Sequence, residues 1–396
     1  MKSMRRWPRN SAMRIFFLSY SYEKGIRADA GGFRKLWELA WALKKRGHDV
    51  MVFYPKLPGY APVRDVPSRP CPVLDCALLR PLTAYLMQIL LAGAIWWKDR
   101  PDAVYFRSGY NVLPLLLKPL LGARLVLEVN ADTLEFLQVE GAGSVRQRVF
   151  RAAEGMNVRW SDRIIALTGG LKQMLVGRYG ISEDKIQVIP SGTDSGHFRP
   201  EEPAVARRRI GLDPERPVVG FVGLFYRHQG VPTLLEAIAQ LRPVVPDLTG
   251  LIVGDGVMRP SWEASAMRLG IADCVRFTGQ VPYGEVPAYL NAMDIVVAPF
   301  TADRGETSPF KILDALACSR PVVASDLPSI RLLVKESGAV ILVPPDDPGG
   351  LAVVLKGLLQ DPGKRRKMGV NGREYVAVSH GWDLAAQQLT SALGMR

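Results

Sequence analysis

At 396 residues, with 48% hydrophobic and 22% charged residues, the chain has a globular composition and is too long for a single core. Four cysteines (Cys71, Cys76, Cys274, Cys318) and four scattered histidines (His48, His197, His228, His380) lack metal-type pairing, which excludes a zinc module or disulfide scaffold and fits a reducing compartment. The formal charge of +13 is lopsided: residues 1–195 hold 29 Lys+Arg against 17 Asp+Glu, residues 196–396 hold 22 against 21, so the first half is expected to meet an anionic partner.

Met1–Arg14 is basic but has no apolar centre, so it does not read as a secretory signal, and a cytoplasmic location is expected. Strands are predicted at Ile15–Leu18, Val50–Phe53, Ala103–Phe106, Leu125–Leu127, Ile164–Leu167 and Ile186–Ile189. Each is apolar without strict alternation, the pattern of parallel strands covered on both faces. Gly31-Gly32 follows the first strand and precedes a run of helical period, so the two glycines can bring backbone close to a ligand. A third glycine is missing, which argues against the dinucleotide fingerprint. Arg107, Glu128 and Asn130 stand at strand ends, where open α/β sheets bind ligands. Leu82–Trp97, ending in Trp96-Trp97-Lys98, is shorter than the run of about twenty apolar residues that spans a bilayer. With Leu113–Leu121 it places apolar segments beside basic and aromatic residues, as at a membrane interface. No nucleic-acid motif is present, so an anionic membrane surface is the favoured partner and nucleic acid is not expected.

Pro, Gly, Ser and Asp cluster over Pro190–Pro203, and the expected domains are 1–193, 194–378 and a closing helical segment, 379–396. In the second half, strands are predicted at Val218–Val222, Leu251–Val253, Val275–Phe277, Ile295–Val297, Val322–Ala324 and Val340–Val343. The loop after the first of these carries Gly223, Arg227 and His228 before a helix start, a candidate diphosphate cradle. Gly254-Asp255-Gly256 reads as a structural turn, whereas Gly279-Gln280-Val281 could set backbone against a planar base. The fold class is therefore α/β: two doubly wound, Rossmann-like domains facing across a cleft.

The stretch Glu306–Ser325 is the most informative. Two carboxylates, Glu306 and Asp314, lie eight residues apart, with Ser308-Pro309 between them. Ser is a strong N-cap and Pro suits the first helical position. Free N–H groups of Phe310, Lys311 and Ile312 would then face an anion at the helix start. A phosphate resting there, beside a carboxylate that grips hydroxyls, suits a nucleotide sugar. No Asp-x-Asp ends a strand, so no metal is expected.

Taken together, these segments resemble the retaining nucleotide-sugar glycosyltransferases of the GT-B fold, family 4 (group 1) type. The resemblance rests on Gly31-Gly32, Arg46–Val50, Ile186–Asp194 with Phe198-Arg199-Pro200, Phe221–Gly230, Gly254–Gly256, Gly279–Val281, Asp294–Pro299, the acid pair Glu306/Asp314, Pro321–Ser325 and Trp382. It runs over essentially the whole chain, and the motifs keep the family's order and spacing. It implies transfer of a sugar from a nucleoside diphosphate donor, with retention, and no cofactor. It also implies Glu306 at the sugar, Asp314 at the ribose, Gln280 and Val281 at the base, and Arg227, His228, Gly223, Ser308 and Lys311 near the diphosphate. Gly31, Gly32, Arg107, Glu128 and Asn130 fall on the acceptor side. Acceptors consistent with a basic first half are lipid-linked or cell-envelope glycans, with the protein peripheral on the inner membrane face. Retention needs either a carboxylate nucleophile or same-face attack, and the sequence does not choose between them. Five departures stand out: Leu224 and Gln229 where the family carries its phosphate-binding Arg and Lys, Asp314 for Glu, Pro309 for Gly, and Ser191 for Asn. They keep a non-catalytic sugar-nucleotide-binding protein as an alternative, beside a nucleotide-sugar epimerase.

Overall fold

A computed structural model describes residues 12–19, 31–57, 62–74, 80–98, 100–112, 114–115, 118, 122–139, 141–304 and 310–394. Glu306, Ser308 and Pro309 lie outside them, as do the Met1–Asn10 segment, most of Leu113–Leu121 and the side chains of Trp96, Trp97 and Lys98. The chain divides into two compact units, Met1–Ser191 with Trp382–Arg396, and Gly192–Gly381.

Among the described residues, the first unit holds a seven-stranded parallel sheet built from β1 (Arg14–Leu18), β2 (Asp49–Pro55), β3 (Ser68–Cys71), β4 (Ala103–Arg107), β5 (Arg124–Val129), β6 (Arg163–Ala166) and β7 (Ile186–Val188). The order is β3-β2-β1-β4-β5-β6-β7, which reverses direction between β1 and β4. Successive side chains of a strand face opposite ways. On β1, Ile15 and Phe17 join one buried cluster, whereas Phe16 and Leu18 join another on the far face. This two-sided burial explains why the strand is apolar throughout. β3 escapes the sequence reading because Ser68-Arg69-Pro70-Cys71 has no apolar run; it is an edge strand, where proline is tolerated. The Gly31–Lys45 helix packs Leu36, Leu39 and Leu43 into the first cluster together with Ala385, Ala386 and Leu389 of the Trp382–Ala392 helix. Gly31 and Gly32 are thus the opening residues of a helix rather than a loop before it.

The second unit repeats the plan with six parallel strands: β8 (Val218–Val222), β9 (Thr249–Val253), β10 (Val275–Phe277), β11 (Ile295–Ala298), β12 (Val322–Ser325) and β13 (Val340–Val343). Their order is β10-β9-β8-β11-β12-β13. Val219, Phe221, Ile295 and Val297 face one buried cluster, and Val218, Val296 and Ala298 face the other. One buried ion pair pins the sheet's lower edge. Arg207 meets Asp294 at 2.6 Å and donates to the Ala292 carbonyl at 2.9 Å, while Asp294 accepts the Val218 N–H at 2.7 Å.

Candidate functional site

In the second sheet the direction of winding reverses between β8 and β11, so the crevice beyond their carboxyl ends is the expected ligand position. The segments entering it are the loop 223–230 after β8, the loop 299–304 after β11, and the start of the Phe310–Ala317 helix. They are bound to one another: the Thr301 N–H donates to the His228 carbonyl at 3.2 Å.

Backbone crowding fixes this loop. Gly223 sits at φ +156°, and a Cβ there would come within 2.5 Å of the Lys311 amine. A Cβ on Gly254 would overlap the Gly223 carbonyl oxygen, so the turn after β9 is packed backbone to backbone on the turn after β8. Gly254 therefore serves packing, as its reading as a structural turn supposes.

Lys311 is the centre of the arrangement. Its amine donates to the side-chain oxygen of Gln229, lies 3.8 Å from the centre of the Phe221 ring and 5.2 Å from that of Phe300. Burial, and then the positive Arg304, hold its pKa well below the ordinary lysine value. Among the described residues its contacts are an amide oxygen and aromatic faces rather than a carboxylate. Arg304 stacks on Phe300 with its guanidinium carbon 3.5 Å from the ring centre. His228 is driven down to about 4, by burial first and then by the charges of Arg304 and Lys311, so its ring is neutral near pH 7. That ring lies 2.9 Å from the Gln229 amide nitrogen. Arg227 sits at the surface with a 68% exposed side chain, tied to Asp303. Asp303 is held below the usual carboxylate range by the Thr301 hydroxyl and then by Arg227.

Asp314, one helical turn beyond Lys311, is partly buried and accepts the Thr193 hydroxyl at 2.6 Å. Ile312 is fully buried and belongs to the core on that side of the sheet. Gln280 is exposed and Val281 half-buried, just past the Gly279 carbonyl that accepts the Gly254 N–H at 3.1 Å. Lys311, His228, Gly223 and Asp314 thus gather around the Phe310–Ala317 helix and the β8 turn, whereas Arg227 is committed to a surface pair. Arg304 carries no recognisable spacing in the sequence, and Thr193 lies in the Ile186–Asp194 segment with no role of its own; it enters through its contact with Asp314, 121 positions along the chain. Among the described residues, no three His, Cys, Asp or Glu side chains cluster as a metal site would require.

In the first unit, Glu128 is buried and meets the Lys35 amine at 3.2 Å and the Tyr105 hydroxyl. Burial pushes its carboxyl up, but the charges of Lys35 and Arg107 and its hydrogen bonding prevail, leaving it below the usual value. Burial lowers Arg107 to about 10 and also lowers Lys35. Asn130 is likewise buried, just beyond β5. These groups form an internal network, with Lys35 supplying the charge that the sequence reading left out.

Two family models match the chain, one described as Glycosyl transferases group 1 over residues 216–361 and one as Glycosyltransferase Family 4 over residues 31–197. A D-inositol 3-phosphate glycosyltransferase of Segniliparus rotundus is 30% identical over 317 residues, covering 78% of this chain and 69% of the relative. Its namesake from Thermobispora bispora is 28% identical over 386 residues, 91% of this chain and 89% of the relative. Among solved structures, sucrose-phosphate synthase from Thermosynechococcus elongatus superposes with a TM-score of 0.79 at 22% identity, covering 96% and 98% of the two chains. HepE of Anabaena, crystallised with UDP-glucose, superposes with a TM-score of 0.77 at 20% identity, covering 96% and 99%. These two structural likenesses speak to the GT-B fold.

Proposed function

The chain belongs to the group 1, family 4 glycosyltransferases, and from that premise we propose that it moves a sugar, with retention, from a nucleoside diphosphate donor held by the Gly192–Gly381 unit. The observation that carries the donor half is the enclosed Lys311 amine at the β8–β11 switch point. A cation out of water needs a counter-charge, and the diphosphate supplies it beside the N–H groups of the Phe310–Ala317 helix. The binding of UDP-glucose by HepE supports a donor of this class.

In this reading Lys311 and Arg304 neutralise the charge that builds on the leaving diphosphate, a stabilisation by groups already in place. Neutral His228 donates a hydrogen bond to the same oxygens. Arg227 joins them by exchanging Asp303 for phosphate. Asp314 takes the ribose hydroxyls, Gln280 and Val281 flank the base, and Glu306 holds the sugar hydroxyls near the reacting carbon. Ser308, which precedes that helix in the sequence, is assigned to the diphosphate, and no metal is used. Gln229, where the family carries a lysine, here accepts from Lys311, so the cation comes from the neighbouring helix. The acceptor is bound by the first unit, near Arg107, Glu128 and Asn130 and the Gly31-Gly32 helix start, and is a lipid-linked or cell-envelope saccharide.

The test is a thermal-shift screen of uridine, guanosine and adenosine diphosphate sugars, followed by chromatographic assay of nucleoside diphosphate release with and without acceptor. D-inositol 3-phosphate, named in the relatives, belongs in the acceptor panel. Acceptor-dependent release, abolished by Glu306→Ala, is expected. Wild-type rates in that variant would remove Glu306 from the mechanism, and conversion of donor without acceptor would indicate an epimerase. Leu224, exposed where the family carries arginine, favours a second reading: binding of the sugar nucleotide without turnover. A donor-induced shift with no release for any acceptor would select it.

A further inference from the structure

The Ser144–Trp160 helix of the first unit is built inside out. At about 100° per residue, Val145, Val149, Ala152, Met156 and Trp160 fall within roughly 80° of one another on the helix surface. That stripe faces water: Val145 is 71% exposed, Val149 53%, Met156 41% and Trp160 57%. The opposite side carries Phe150, Glu154, Asn157 and Val158, all buried. The helix therefore hides its one acid and presents its apolar residues. Glu154 is satisfied inside, where the Ser108 hydroxyl donates at 2.9 Å and the Tyr179 hydroxyl at 2.5 Å. Every ionisable side chain the helix exposes is an arginine: Arg146, Arg148, Arg151 and Arg159. Arg148 and Arg159 border the stripe on one side and Arg146 on the other. Tyr110, which meets the buried Phe150 edge-on at 5.2 Å, and Phe136 of the Thr133–Val139 helix, in contact with this helix, are also exposed aromatics of this unit.

We propose that this face docks on an anionic lipid bilayer, with the stripe entering the headgroup boundary, Trp160 at its level and the arginines on lipid phosphates. A helix with an apolar stripe flanked by cations has the form that lies in such an interface, and indole rings concentrate there. Charge decides the occupant. Pairing the face with a second copy would set three arginines against three, and a nucleic-acid backbone leaves the valines, methionine and tryptophan unused. The inference deepens the lipid-linked part of the functional reading. It rests on that reading only for the purpose that docking serves.

Co-sedimentation of the full chain with vesicles of phosphatidylcholine alone, and of phosphatidylcholine mixed with phosphatidylglycerol, tests it. Binding to the mixed vesicles, weakening with salt, is expected. Each arginine near an anionic surface contributes about 1 kcal/mol, so Arg148→Gln with Arg159→Gln should weaken binding about thirtyfold. Val149→Ser with Trp160→Ser should weaken it as well, and the wild-type tryptophan emission that Trp160→Phe removes should shift to the blue on vesicles. All these positions are exposed, so melting curves should stay unchanged. Absent binding, or binding unaltered in both double variants, overturns the proposal. So does a concentration-dependent dimer that the same substitutions dissolve, because the stripe would then belong to a second copy. Binding of a nucleoside diphosphate in solution, read by calorimetry, should persist in every variant, which separates failure of docking from failure of the donor reading.

Discussion

Replacing Lys311 by methionine isolates the donor site's central group. Methionine keeps most of the unbranched stem but removes the ammonium that lies over Phe221 and Phe300. If that ammonium makes one charge-assisted contact to the diphosphate, its loss costs about 1.5–3 kcal/mol, or roughly 10- to 150-fold in affinity. Stability should move the other way. The lowered pKa means that folding penalises the charged amine. That penalty is complete below the folded-state value and disappears as pH rises to the ordinary lysine range, so the melting advantage of Lys311→Met should shrink with rising pH. Wild-type affinity for a nucleoside diphosphate should also fall as pH climbs, because the bound amine must be charged. Titration calorimetry on both proteins at several pH values, with melting curves in parallel, gives all three quantities. Equal affinity in the two proteins would refute the reasoning, whatever the melting curves show.

Four further outcomes follow from the same geometry. Gly223→Ala forces a side chain at positive φ and a methyl against the Lys311 amine; calorimetry should show diphosphate affinity falling at least tenfold, with a melting loss of about 1–2 kcal/mol. Asp314→Asn should weaken binding of a nucleoside diphosphate about tenfold but leave inorganic pyrophosphate unchanged, since the carboxylate is assigned to ribose; equal losses for both would reassign it. His228, depressed to about 4, resists protonation in the folded state, so stability should fall as pH drops from the ordinary histidine value toward 4; melting curves of His228→Asn should show a shallower decline. Arg207→Ala leaves Asp294 without its buried partner and should cost about 3–5 kcal/mol by urea denaturation, with donor chemistry affected only through folding.

Much of the fold is written locally. Strands such as Ile15–Leu18 and Val218–Val222 announce themselves because both faces are buried, which demands an unbroken apolar run. β3 is silent for the converse reason: an edge strand of Ser, Arg, Pro and Cys has little to bury. The site is only half legible. Gly223 and the acid pair carry recognisable spacing, but the pairing of Lys311 with Gln229 joins residues 82 positions apart. In sequence, Gln229 looks like the loss of a cation; in three dimensions it is an acceptor for one supplied from another helix. Arg227, prominent in the loop, is held at the surface by Asp303, which only the folded chain brings near. The outward stripe of the Ser144–Trp160 helix was also hidden, since periodicity shows that a face is apolar but not which way it points.

The most direct test of the account is release of nucleoside diphosphate from a panel of sugar donors by the purified full chain, compared with Lys311→Met. The account predicts that one donor is consumed in the presence of acceptor, with the anomeric configuration kept in the product, and that the variant's kcat/KM drops at least tenfold. A protein that neither binds nor cleaves any nucleoside diphosphate sugar, or a variant that turns the donor over as fast as the parent, would contradict it.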